Sequence, residues 1–183
     1  PRGGLRVKPR ARILVVDDER SMQEVLEIFL RGEGYEVVTA GDLAAARGQL
    51  ESDDFDVVIT DIQMPGGSGL DLLRAANEVA PETMVIMITA YASTETAIAA
   101  MKEGAYDYLT KPFQVDEIRL VVEKALEKKS LALENRRLRS ELRTRSRSRR
   151  IIGSSGAMQR VLDLVAQVAD SRANVLVTGE SGT

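Results

Sequence analysis

The 183-residue sequence is 44% hydrophobic and 29% charged, with no histidine and no cysteine; it predicts a globular chain and excludes disulfide frameworks, thiol nucleophiles, Cys/His zinc sites and Ser-His-Asp triads. No apolar run reaches membrane-spanning length and no leader pattern is present, so the expected location is the cytoplasm, with no membrane partner. The net charge of −3 hides a division: residues 12–128 carry 23 acidic and 10 basic side chains and the remainder 5 and 15, an acidic domain joined to a basic connector.

Residues 1–11 (PRGGLRVKPRA) read as a flexible basic lead-in. RILVVD at 12–17 predicts a first strand. Met22, Val25, Leu26, Phe29 and Leu30 fall at helical spacing over 21–32, with Ser21 as N-cap and Gly34 just past the end. EVVT at 36–39 is a second strand, followed by an alanine-rich helix over 42–52 capped by Asp42. DVVIT (56–60) leads to a helix near 68–79, and TMVIMIT (83–89) to one near 93–103. AYDYLT (105–110) is the last strand of the series, before a helix from about 115. Five strand-helix units with near-continuous apolar strands predict an α/β fold, a five-stranded parallel sheet doubly wound by helices.

In such a sheet the ligand site lies beyond the carboxyl ends of the strands, at the topological switch point. Asp17 and Asp18 follow the first strand, Asp61 the third, Thr89 ends the fourth and Lys111 follows the fifth. Three converging carboxylates repel one another unless a cation intervenes. An all-oxygen set with few protein ligands suits Mg²⁺. Lys111 adds a point charge for a phosphoryl oxygen, and Thr89 a hydroxyl donor. Together they describe a site where a carboxylate attacks phosphorus while cations neutralise the charge in flight. Taken singly, Asp-Asp after a strand is commonly a turn or cap, and Lys-Pro a loop. Their conjunction at four strand ends is what favours chemistry.

VVDDE (15–19), TDIQMPGGSGLDLL (60–73), ITAY (88–91) and YLTKPF (108–113) resemble, in order and spacing, the receiver domain of two-component response regulators, with its flavodoxin-like sheet. The resemblance covers about 12–127. It implies that Asp61 takes a phosphoryl group from a sensor histidine kinase. It also implies that Asp18, Asp61 and the backbone carbonyl of Gln63 hold Mg²⁺, with Asp17 acting through water. Thr89 and Lys111 would contact the phosphoryl oxygens. Tyr108 falls at the family's switch aromatic, although on its own it reads equally as a half-exposed tyrosine. The Lys111–Pro112 bond is cis in the family. Gly67 departs from the family pattern, which often has a bulky apolar residue there, and so predicts a looser loop behind Asp61.

Past the receiver the helical pattern continues into a linker at 128–150. Leu131, Asn135, Leu138 and Leu142 fall at i, i+4, i+7 and i+11, a seam in which Asn135 at an a position favours a homodimer in fixed register. The competing reading is a solvated amphipathic helix lying on its own receiver. RTRSRSRR (143–150) holds five arginines without aromatic interleaving, the pattern of a solvated hinge more than of a nucleic-acid element.

Residues 151–183 begin a new unit, with a capped helix over 156–169 and a strand at 174–178. Gly179, Glu180, Ser181, Gly182 and Thr183 match only the first five positions of a phosphate-binding P-loop. The whole stretch resembles the opening of the AAA+ ATPase domain in the NtrC class of σ54-dependent activators. There a receiver, a helical linker and this opening follow in the same order. The resemblance implies that ATP, σ54 RNA polymerase and promoter DNA are engaged only by parts of the intact protein absent here, and that this chain is not itself an enzyme. A 33-residue piece cannot bury a core of its own. The expectation is therefore a phospho-accepting regulatory module with a dimerising linker. Two alternatives are a Mg²⁺-dependent phosphohydrolase using Asp61 or Asp17, and a pseudo-receiver that only dimerises. The complete set Asp17, Asp18, Asp61, Thr89 and Lys111 argues against the second.

Overall fold

In the computed structural model, which describes residues 9–64, 66–90, 94–148, 155–169, 174–176 and 178–179, the five apolar runs pair as one parallel sheet. Its strands are β1 (Arg12–Val16), β2 (Glu36–Ala40), β3 (Val57–Asp61), β6 (Met84–Thr89) and β7 (Asp107–Thr110), in the order β2-β1-β3-β6-β7. A second sheet of two antiparallel two-residue strands, β4 (Gln63–Met64) and β5 (Gly67–Ser68), follows β3 directly. The sequence reading missed this pair, because two-residue strands carry no periodicity.

Successive residues of each strand face opposite ways, and both faces are apolar, so the sheet feeds two cores. Leu14, Val16, Val58, Val85 and Met87 point to the side covered by α2 (Leu43–Ser52), α3 (Gly69–Val79) and α4 (Thr94–Lys102). Ile13, Val15, Val57, Ile59, Ile86 and Ile88 meet α1 (Arg20–Gly32) and the first turns of α5 (Val115–Ser148). Each such side chain contributes roughly 1.5–3 kcal/mol by leaving water. These two layers hold the strand ends rigidly enough to carry a polar site.

Two expectations need correction. Ser21 is not the cap of α1: Glu19 is, and the Ser21 hydroxyl donates to Glu19 Oε1 over 2.6 Å. The helix starts earlier because Asp17 Oδ1 accepts the Glu19 N–H at 2.9 Å and turns the chain there. Nor do residues 174–176 and 178 form a strand, since among the described residues no strand lies beside them to pair. Asp42 caps α2 as read, accepting from the Ala45 N–H, and Ser68 with Asp71 forms a capping box on α3 that the sequence reading did not single out.

The chain divides into two compact units, Pro1–Arg137 and Leu138–Thr183. In the second unit, α6 (Gly156–Val168) is capped by Ser155 and buries none of its residues. Among the described residues no helix is long and apolar enough to cross a membrane.

Candidate functional site

The register of the sheet assembles the site. Between β1 and β3, Val16 pairs with Thr60, so Asp17 and Asp61 are the next residues on adjacent strands. These two strands flank the point where the strand order reverses. Asp61 itself pairs with Ile88 on β6, one residue short of Thr89, and Thr89 pairs with Thr110 on β7, one residue short of Lys111. Each chemically active residue therefore sits one step from its neighbour across the sheet. Lys111 is fixed further by its N–H, which donates to the Thr89 carbonyl at 2.7 Å. The Lys111–Pro112 peptide bond is cis.

Asp17, Asp18 and Asp61 each offer a carboxylate oxygen within 4.8 Å of the others. Asp17 and Asp61 are buried and Asp18 is exposed, which leaves the cluster one open side. The Lys111 ammonium bridges the two buried acids, 2.7 Å from Asp17 Oδ2 and 2.6 Å from Asp61 Oδ2. Burial alone would lower the pKa of this amine. The hydrogen bonds and charges of Asp17 and Asp61 outweigh that and hold it above its ordinary value. The second oxygen of Asp61 accepts the Gln63 N–H at 2.9 Å. Asp61 is thus compensated, although it stands at a position the strand pattern would give to an apolar residue.

The cluster fits a hard divalent cation. Its donors are all oxygen, three carboxylates come together, and one side is open to the water that Mg²⁺ retains. Thr89 is buried at the end of β6. Tyr108 is half-buried against the core, and its hydroxyl is enclosed with no hydrogen-bond partner among the described residues. Burial raises its pKa above the usual tyrosine value. Tyr91 of the ITAY motif and Glu180–Thr183 of the P-loop match lie outside the described residues, while Gly179 is exposed. On α5, Leu131, Asn135, Leu138 and Leu142 are all exposed.

Sequence reasoning missed three residues that shape the site. Gln23 donates from its side-chain amide to the Asp17 carbonyl at 2.6 Å. Gly69 passes so close to Asp61 that a Cβ would lie 2.2 Å from the Asp61 carbonyl oxygen. Leu43 occupies the space beside Gly67, where a Cβ would meet its Cδ2 at 2.2 Å. The volume that Gly67 leaves open behind Asp61 is therefore filled from α2. The Ser-Gly-Leu-Asp capping box was the one local signal for Gly69; the other two depend on tertiary approach.

Residues 13–123 match the model of the response regulator receiver domain. Over nearly the whole chain there are longer relatives. Regulatory protein AtoC of Escherichia coli K12 is 38% identical over 172 residues, 94% of this chain and 37% of its own length. Transcriptional regulatory protein ZraR of Salmonella typhimurium is 38% identical over 178 residues, 97% of this chain and 39% of its own. The chain thus spans about two fifths of these relatives. Among solved structures, the beryllofluoride-activated NtrC4 receiver domain dimer superposes with a TM-score of 0.62 at 39% identity, covering 64% of this chain and 98% of that one. NtrX from Brucella abortus in complex with ATP gives 0.67 at 35% identity, covering 87% and 34%. With 13–123 matched inside this fold, the chain belongs to the response regulator receiver family.

Proposed function

We propose that the chain is the phospho-accepting regulatory part of a two-component transcription activator of the σ54-dependent class, in which Asp61 receives a phosphoryl group from a sensor histidine kinase. The observation that carries this is the meeting of Asp17, Asp18 and Asp61 oxygens within 4.8 Å, with Lys111 bonded to two of them. An Asp61 oxygen forms the new P–O bond as the P–N bond of the donor breaks, and the electron pair leaves with the donor nitrogen. Lys111 has three N–H donors. It keeps Asp17 while turning another toward a phosphoryl oxygen, and Thr89 donates its hydroxyl to the same group. Asp18, Asp61 and the Gln63 carbonyl, with Asp17 through water, would hold Mg²⁺, which supplies charge neutralisation for the transfer.

Tyr108 is the residue proposed to report the modification, its enclosed hydroxyl having no partner to lose on moving. The exposed seam of Leu131, Asn135, Leu138 and Leu142 is proposed to join two copies. Residues 12–127 are the proposed receiver, 128–150 the linker, and 151–183 the start of an AAA+ domain whose ATPase, σ54 and promoter contacts belong to the intact protein. The setting of this chemistry is the cytoplasm.

Incubation with acetyl phosphate tests the assignment. One phosphoryl group per chain is expected with Mg²⁺, and none with a chelator or in Asp61→Asn; the oligomeric mass should change with the modification. Continued release of phosphate over many turnovers would instead identify a phosphohydrolase.

A further inference from the structure

The buried stripe of α5 does not stop where the receiver core ends. Ile118, Val122 and Ala125 are buried, and the next residues on that line, Lys129 and Arg136, replace apolar contact with ion pairs. Only 14% of the Lys129 side chain is exposed. Its ammonium donates to Asp56 Oδ1 at 2.8 Å and to the Phe55 carbonyl at 3.3 Å. Arg136, seven residues on, pairs with Glu82. Lys128 lies 5.0 Å from the centre of the Tyr106 ring. At about 100° per residue, Leu131 falls on the side of the helix opposite Lys129, while Asn135 lies about a quarter-turn from Arg136, on the flank that carries Lys128.

The partners of Lys129 and Arg136 are strand starts. Asp56 immediately precedes β3, and Glu82 lies two residues before β6. The two starts are tied together, since Met84 N donates to the Asp56 carbonyl at 3.0 Å and the Thr83 hydroxyl to the Phe55 carbonyl at 2.8 Å. The other oxygen of Asp56 accepts the Arg12 N–H of β1 at 2.9 Å. The same two strands end on Asp61 and Thr89. One end of each strand thus carries the acid pocket and the other holds the linker helix.

We propose that Lys129 and Arg136 form a latch that seats the linker helix on the base of β3 and β6 and couples its position to the state of the acid pocket. The latch also sets which face of the helix is presented outward. Its existence is independent of phosphoryl transfer, whereas the coupling rests on the function proposed above. A displacement of either strand along its axis moves Asp56 or Glu82 relative to the helix. Coupling of this kind is reciprocal, so loosening the latch alters ligand affinity at the pocket.

Hydrogen–deuterium exchange on the whole chain tests both halves. In Lys129→Met/Arg136→Met, amides 127–137 should exchange about tenfold faster than in wild type while those of 57–61 and 84–89 keep their protection. Asp56→Asn, a substitution outside α5, should give a smaller acceleration in the same segment. Unchanged exchange at 127–137 in both variants overturns the latch. Beryllofluoride with Mg²⁺ is then added to wild type, with amides 61–64 reporting binding at the pocket. A response at both 61–64 and 127–137, lost at 127–137 in the double variant, supports the coupling. A response at 61–64 alone overturns the coupling and spares the proposed function. No response at 61–64 overturns the proposed function and the coupling together, leaving the latch to the first measurement.

Discussion

Gln23 holds Asp17 by its backbone: the glutamine amide reaches from α1 to the Asp17 carbonyl at 2.6 Å. Asp17 also gives one carboxylate oxygen to the Glu19 N–H and the other to Lys111. The turn that aims the first two acids at Asp61 is therefore held on several sides, and from outside the turn and the pocket by two contacts, the Gln23 amide and the Ala40 carbonyl of β2, which accepts the Asp17 N–H at 3.2 Å. Gln23 is a positioning residue for the acid pair.

Gln23→Met removes that donor from the Asp17 carbonyl, at a cost of about 1 kcal/mol of stability. Mg²⁺ affinity, read from the metal-dependent rise in melting temperature, should fall several-fold, while the phosphorylation rate at saturating Mg²⁺ changes little. Gln23→Arg, which restores an N–H, should recover most of the affinity. A purely structural role predicts equal loss in both variants and no dependence on the metal.

Among the described residues Lys111 is the cation paired with both buried acids, and removing it isolates them. Its side chain is 15% exposed, against 3% for Asp17 and 9% for Asp61. Lys111→Met should destabilise the metal-free chain by about 3 kcal/mol, the cost of breaking a buried pair from one side. Mg²⁺ should restore more stability to this variant than to wild type, because the cation replaces the missing positive charge. Denaturant midpoints with Mg²⁺ and with a chelator decide it; an equal metal effect in the two proteins would show that the carboxylates do not share a cation.

How much of this was legible in the sequence follows from the range of each interaction. Asp17, Asp61, Thr89 and Lys111 were visible because each sits at the end of an apolar run, and strand order alone brings such ends together. Asp42 was visible as a cap because its partner lies three residues away. Ser21 misled, since the carboxylate of Asp17 satisfies the Glu19 N–H and moves the helix start. The contact of Leu43 with Gly67 joins residues on different elements and has no local pattern. Lys129 and Arg136 carry no local signal and drew no reading from the sequence; only the positions of Asp56 and Glu82 make them anchors.

The two close glycines of the loop after Asp61 should respond differently to a methyl group. At Gly69 the new Cβ meets backbone: the Asp61 carbonyl oxygen at 2.2 Å and carbon at 3.1 Å, with Ile62 Cα at 3.1 Å. None of these can yield without moving the phospho-acceptor. At Gly67 it meets the far end of Leu43, which can rotate or be shortened. Gly69→Ala should cost about 3 kcal/mol and suppress phosphorylation, whereas Gly67→Ala should cost about 1 kcal/mol. Leu43→Ala combined with Gly67→Met should be more stable than the sum of the single changes, the signature of two side chains competing for one volume. Additive losses in that cycle would remove Leu43 as the filler of the space.

Asp56 gives the latch a defined pH dependence. Burial alone would raise its pKa, but the Lys129 ammonium and the Arg12 N–H outweigh this and hold the carboxyl below its ordinary 3.8. A group depressed in the folded state binds its proton more readily when unfolded, so its stabilisation is complete above the unfolded value. It is lost as pH falls through the folded one. Solvent reaches 37% of the side chain, which limits the contribution to about 1 kcal/mol. The stability difference between wild type and Asp56→Asn should therefore be constant from neutral pH down to roughly 4 and decline below it. Lys129→Met should remove most of the difference at every pH. Chemical denaturation of the three proteins across that range measures it, and a difference that persists undiminished in acid would mean that the Asp56 charge is not what Lys129 holds.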